Sequence, residues 1–324
     1  MKYKLLVPTL FFVLLMTSCR KDLLHWQRVT RINTGTTARM NRILFLEDGT
    51  GIISAGAKFD QARIFISSDN GNTWISREVP DMPVGLYGIS TVPGSNKLVF
   101  SAEYGNIIST GDQGGTFEAR KVSGMLEFIS AIAFTGTDRC VGITDLTRDS
   151  GAVFCTDGSA RLLQFRRYNY PLHDMKFFGP ETGFVAGSGV VMKTTDGGNT
   201  WHNLPVIGDD FRHISALDAN RIWICGYNGT VIRTLDGGNS WKKLRNGNDI
   251  TLPRYHLEGI WFRDEQHGYA VGEQGLVCYT DDGGTHWMEF DRFTDDALFF
   301  IAPCADGQLI VGGENGSLYK LMQK

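Results

Sequence analysis

The chain has 324 residues, with 32 Lys and Arg against 35 Asp and Glu and a formal net charge of −3. That modest acidity gives no electrostatic case for nucleic acid as a partner. Length alone would suggest two ordinary domains.

The first eighteen residues read as an address, not as part of a fold. Lys2 and Lys4 precede an apolar run from Leu5 to Met16, broken only by Pro8 and Thr9, which ends at Thr17-Ser18-Cys19. The run is too short to span a bilayer comfortably and has the layout of a secretory signal. The small residues before Cys19 resemble a bacterial lipobox, at which Cys19 becomes the lipidated mature N-terminus. The expected organisation is residues 1–18 as a lipoprotein signal peptide, 19–24 as a lipidated tether and 25–324 as the folded domain. Arg20, not Asp, follows the cysteine, which by resemblance to sorting signals points to an outer-membrane lipoprotein, periplasmic or surface-facing.

Beyond the tether, His25-Trp26-Gln27-Arg28-Val29 reads as a strand. An eight-residue phrase then recurs: Ser67-Ser68-Asp69-Asn70-Gly71-Asn72-Thr73-Trp74 returns with its aspartate at Asp196, Asp236 and Asp282 and its tryptophan at Trp201, Trp241 and Trp287. A variant runs from Thr110 through Asp112 to Phe117, and Thr156-Asp157-Gly158 is a worn copy. Successive aspartates lie 43, 45, 39, 40 and 46 residues apart, a spacing that marks propeller blades or helical arrays. The intervening segments, such as Gly183–Gly187 and Val190–Lys193, are short apolar runs bounded by glycine, so the units are strands.

Each copy makes physical sense as a tight turn between antiparallel strands. The carboxylate accepts backbone N–H groups, the hydroxyl before it does the same for the strand end, and glycine supplies positive φ. The aromatic opens the next strand and folds over the blade, removing about 150–250 Å² from water. Stability therefore accounts for Asp69, Trp74, Asp112, Phe117, Asp157, Asp196, Trp201, Asp236, Trp241, Asp282 and Trp287 as structural residues.

The phrase resembles the Asp-box, or BNR repeat, of sialidases, sortilin-type receptors and seven-bladed assembly factors. The longer unit from Gly268 to Trp287, with Gly272 and Gly275 ahead of Thr280, Asp282 and Trp287, most resembles the photosystem II stability/assembly factor family. Blades containing Val185–Trp201 and Trp223–Trp241 fit the same frame. The resemblance implies a non-enzymatic scaffold that holds a protein or assembly intermediate.

The ends of the chain count the blades. The last unit, Leu309–Lys320, has inner strands but no box, whereas residues 25–29 supply the outer strand that would follow one. Six internal boxes and this composite give an all-β, seven-bladed propeller of four-stranded antiparallel blades, closed by the N-terminal strand and forming one domain. Closure leaves no long exposed sheet edge.

Beyond Cys19, five cysteines remain, at 140, 155, 225, 278 and 304, an odd number without a Cys-x-x-Cys. Cys140 and Cys155 fall on neighbouring strands, either as a cross-strand disulfide or as separate buried thiols. The histidines 173, 202, 213, 256, 267 and 286 lack metal-type spacing, so neither metal nor cofactor is expected. A sialidase would need an Arg-Ile-Pro motif, which Arg31-Ile32-Asn33 and Arg63-Ile64-Phe65 break. Asp209-Asp210 and Asp295-Asp296 could serve glycoside hydrolysis only at a suitable separation. No catalytic residue is assigned.

In a propeller the blade-to-blade connections and the middle turns gather around the central channel, where ligands bind. The connections here carry Arg39, Arg42, Arg167, Tyr170, His173, Arg212, His213, Arg254, Tyr255, His256 and Glu258. Such a rim suits a protein or glycan partner. The favoured reading is a lipid-anchored monomeric binding scaffold; the alternative is a carbohydrate-binding or glycoside-hydrolysing surface lipoprotein.

Overall fold

The structure is a computed structural model that describes residues 23–57, 60–206 and 208–323. The signal peptide, Cys19 and the tether up to residue 22 lie outside the described residues. The described chain forms seven four-stranded antiparallel sheets, each running from an inner to an outer strand. Among these residues the one helical element is a single 3-10 turn, Glu273–Gly275, and no helix is long and apolar enough to cross a membrane.

Blades 1 to 6 take their strands in sequence order, with inner strands Met40–Phe45, Leu86–Thr91, Phe128–Gly136, Leu172–Phe178, Phe211–Ala216 and Leu257–Phe262. Blade 7 has Leu298–Pro303 innermost and borrows Trp26–Arg31 from the N-terminus as its outer strand. That strand runs antiparallel to Leu318–Gln323, from Trp26 opposite Gln323 to Arg31 opposite Tyr319. The ring closes as the ends of the sequence imply.

Burial falls from the second strand outwards. The second strands of blades 1, 2, 5, 6 and 7 are buried along their whole length because both of their faces meet neighbouring blades. One cluster joins Val141, Ile143 and Val153 of blade 3 to Leu172, Val185 and Trp201 of blade 4. Cys140 and Cys155 sit on opposite sides of their blade: Cys140 lies opposite Thr156, and Cys155 opposite Val141. Since neighbouring strand positions face opposite ways, the two thiols stay apart, and both are free and buried.

The boxes lie on the lower face, between third and outer strands. In blade 4, Asp196 accepts from the Thr200 N–H at 2.9 Å and from the Thr200 hydroxyl at 2.6 Å. Thr194 donates to Asp196 at 2.7 Å while its oxygen accepts the Gly198 N–H at 3.0 Å, and the Trp201 indole donates to the Gly198 carbonyl. The boxes at Asp69, Asp112, Asp236 and Asp282 repeat the carboxylate and hydroxyl bonds; the indole bond recurs at Trp74 and Trp287, whereas Phe117 has no indole and Trp241 Nε1 is buried without a partner. In the worn copy Asp157 still accepts from Ser159 and Arg161. These bonds hold the carboxylates below their ordinary range; Asp112, bonded first by the Thr116 N–H, falls to about 2.

The Gly-x-x-Gly of the repeat belongs to the upper face. A Cβ on Gly313 would stand 1.8 Å from the Ala297 carbonyl oxygen of its own blade, and one on Gly316, whose φ is +67°, would stand 1.9 Å from the Thr36 oxygen of blade 1. Gly272 and Gly275 repeat this against His256 and Thr294. In blades 6 and 7 the glycines let the middle turn wedge between two successive blade connections.

Candidate functional site at the channel mouth

In every blade the inner strand slips register just after a buried apolar residue at its first or, in blade 3, its second position. The slips fall after Met40, Leu86, Ile129, Leu172, Phe211, Leu257 and Leu298. A bulge leaves its extra residue out of the ladder and re-aims its side chain. The residues so freed are Asn41, Tyr87, Ser130, His173, Arg212, Glu258 and Phe299, one from each blade. All seven line one cavity of about 240 Å³ at the upper end of the channel, together with Arg39, Arg42, Phe128 and Asp145.

The mouth interleaves cations with aromatic rings. Arg212 pairs with Asp210 at 2.6 Å and lies over the Tyr227 ring at 5.2 Å, while its buried Nε has no hydrogen-bond partner. Arg39 stacks on Phe299 at 3.8 Å and, among the described residues, has no carboxylate within ion-pair distance. Burial lowers its pKa, against the attraction of Glu258 and Glu314. Tyr87 meets Phe128 edge to face at 4.1 Å and donates to Glu103 at 2.7 Å.

Two histidines on adjacent blades take opposite states. Burial of His173 disfavours its charge, but bonds and attraction from Asp145 and Asp210 prevail and raise its pKa to about 9. His213 sits one step deeper with Arg42 and Lys176 nearby; burial lowers it to about 4, against the pull of Asp174. Arg42 of blade 1 reaches Asp174 of blade 4 at 3.5 Å. The Asp174 carboxylate also caps the free Ile214 N–H of the next blade at 2.8 Å. Glu258 is pushed up by burial despite Arg212, Arg39 and Arg42.

Below the mouth, a channel cavity of about 490 Å³ continues between the inner strands. Arg42, Asp174, Lys176 and His213 give way there to apolar wall residues such as Phe134, Phe177 and Trp261. Among the described residues no three His, Cys, Asp or Glu side chains are grouped to hold a metal ion.

Of the eleven rim residues picked from sequence, the structure gathers Arg39, Arg42, His173, Arg212 and Glu258 at the mouth and His213 just beneath it. Arg167 is elsewhere, exposed on the outer strand Leu162–Tyr168 and over Phe165. That strand is seven residues long because the worn box lacks the aromatic that starts an outer strand elsewhere, so pairing extends over residues that looked like connection. Tyr170 stacks on Tyr168 and donates to Asn203 of blade 4. Arg254, Tyr255 and His256 border a separate pocket of about 230 Å³ with Asn228 and Asp249. The rim picked from sequence therefore divides into three places.

The paired carboxylates have structural duties. Asp209 accepts from the Asp210, Asn228 and Thr230 N–H groups, and Asp296 from Asn315 and Ser317. Each holds the middle turn of its own blade. Sequence reasoning missed Asn41, Tyr87, Phe128, Ser130, Asp145 and Phe299. The signal for the ring positions is periodic: each stands directly after a buried apolar residue at the first or second position of an inner strand.

The family described as Photosynthesis system II assembly factor YCF48 matches residues 162–253. Among solved structures, YCF48 from Cyanidioschyzon merolae superposes with a TM-score of 0.70 at 15% identity, covering 91% of this chain and 98% of that one. A YCF48 solved with a bound D1 peptide also gives 0.70 at 15% identity, over 94% and 100% of the two chains. A streptogramin B lyase reaches 0.70 at 13%, over 92% and 98%, so likeness at this level concerns the fold. No curated protein sequence matches significantly. With the box net, the closed ring of seven and the family match in its centre, the chain is an Asp-box/BNR-repeat seven-bladed propeller similar to the photosystem II assembly factor family.

Proposed function

We propose that this chain is a non-enzymatic binding scaffold, anchored through Cys19 at the outer membrane, which holds a segment of a protein partner at the channel mouth. The observation that carries the reading is the bulge ring, in which all seven blades send one side chain to a single cavity. There the Arg39 guanidinium has no carboxylate within ion-pair distance among the described residues, and the Arg212 side chain is 32% exposed. Guanidinium groups beside aromatic rings recognise carboxylate, carbonyl and aromatic groups of a polypeptide. That a structurally similar YCF48 was solved with a peptide supports the class of partner.

The glycan reading has less support. The Phe299 face is covered by Arg39, Tyr87 and Phe128 pack on each other, Asp209 and Asp296 are tied to turns, and Asp210 is held by Arg212, His173 and Ser188. A photo-crosslinking amino acid at Phe128 tests the proposal in membrane extracts. Discrete protein adducts that disappear on Arg39→Ala with Arg212→Ala are expected; adducts indifferent to both changes, or none, would count against it.

A further inference from the structure

The chain fixes where any anchor leaves the propeller. Just before the blade 7 outer strand, Leu24 forms a parallel bridge to Phe290 on the outer edge of blade 6. Its N–H donates to the Glu289 carbonyl at 2.8 Å, and its carbonyl accepts the Asp291 N–H at 2.9 Å. His25 pairs with Asp291, and Trp26 stacks on Phe290 with centroids 3.7 Å apart. The segment is strapped to two blades.

The direction of this strap is set by topology. Blade 6 begins its outer strand at the box ending in Trp287, on the lower face, and runs upwards through Met288–Glu289. Leu24 runs parallel to it, so residue 23 emerges downwards, at the lower edge between blades 6 and 7. The mouth is on the other face.

We infer that the lower edge of blades 6 and 7 is the membrane-facing surface, and that the mouth opens away from the bilayer. The inference rests on the Cys19 anchor proposed above. Five residues from Cys19 to Leu24 reach at most about 18 Å when extended. A six-residue strand rises about 20 Å from the lower to the upper face, before the upper loops are added. The tether is too short for the upper face to turn onto the anchoring membrane. The partner is therefore a water-exposed polypeptide segment that projects from the membrane or arrives from solution, and not a bilayer-embedded one.

The test places one fluorophore above and one below blade 6. The native cysteines of the described domain are buried, which leaves introduced thiols selective. Ile250→Cys labels the upper connection, where Ile250 is 93% exposed, and Gln266→Cys labels the exposed lower turn. The lipidated protein goes into phosphatidylethanolamine/phosphatidylglycerol vesicles carrying a headgroup quencher. A second form replaces Cys19 and the leader with a histidine tag held by a chelating lipid. Because the labels differ by about one strand length, at least about twofold stronger quenching is expected at position 266 than at 250 in the lipidated form, and a smaller contrast on the longer chelator-held tether. Equal quenching, or the reverse, in the lipidated form overturns the orientation. Absence of lipid on Cys19 by mass spectrometry overturns the anchor, and with it the membrane-facing assignment, while leaving the binding mouth untouched.

Discussion

The ammonium of Lys320 in blade 7 donates to the Asn70 carbonyl in the box of blade 1 at 2.8 Å. It also donates to Asn72 Oδ1 at 2.9 Å and pairs with Asp306 at 2.7 Å, while only 5% exposed. The same device recurs round the ring: Arg120 reaches the Gly158 carbonyl, Arg139 Gly197, Lys193 Gly237 and the Trp223 indole Gly283. In these five box turns a carbonyl left free by the turn takes its donor from the preceding blade. Asp306 is itself exposed, so Lys320→Ala should cost about 1–3 kcal/mol, chiefly from the uncapped Asn70 carbonyl and the hydrogen bonds lost at the closure. Urea unfolding of the variant beside Lys193→Ala, whose lysine pairs with no acid, should show the larger loss for Lys320.

The box aromatics make a graded prediction. Trp201 is 7% exposed, meets Phe177 edge to face at 6.0 Å and donates to Gly198. Truncation to alanine should cost about 3–5 kcal/mol. Phe117 fills the equivalent place in blade 2 without an indole N–H, packing beside Ile64 and Leu98. Trp201→Phe should accordingly cost about 1 kcal/mol, the net worth of one hydrogen bond, and thermal or urea midpoints should rank the three proteins in that order.

What could be read from sequence was local. The Asp69-to-Trp74 net closes within eight residues, so its repetition gave the turns, the period and, with residues 25–29, the closure. The mouth is not local in that sense. Tyr87, Phe128 and Phe299 look like ordinary strand residues, and only the bulge that follows Leu86 or Leu298 turns their neighbourhood towards the channel. Arg167 and Tyr170 misled because the worn box shifts where pairing ends in blade 3. Bulges and strand ends depend on partners in space, which spacing does not record.

The wedge glycines separate conformation from volume. At Gly316 a side chain meets both a φ of +67° and the Thr36 oxygen at 1.9 Å, whereas Gly307, with φ +78°, has nothing within 4 Å of its Cβ. Gly307→Ala should cost about 1 kcal/mol, the ordinary price of a left-handed residue. Gly316→Ala must also push blade 1 away from blade 7, so its loss should be several-fold larger. Parallel urea titrations would show it; equal losses would mean that the turn relaxes freely.

The two histidines predict a stability maximum near neutrality. His213 has its folded pKa lowered to about 4 by burial, with Arg42 and Lys176 adding and Asp174 opposing. The unfolded chain takes up this proton near pH 6.5, so stability is full above that and falls as the pH drops towards 4. His173 is the reverse: Asp145 and Asp210 outweigh burial and hold its proton to about 9. Its contribution is full below about 6.5 and is lost as the pH rises through 9. Each limb is worth no more than about 3 kcal/mol, discounted for water in the channel and mouth. His213→Gln should flatten the acid limb of unfolding free energy against pH between 4 and 6.5, and His173→Gln the alkaline limb between 6.5 and 9. If either substitution left its own limb unchanged, the titrating group would lie elsewhere.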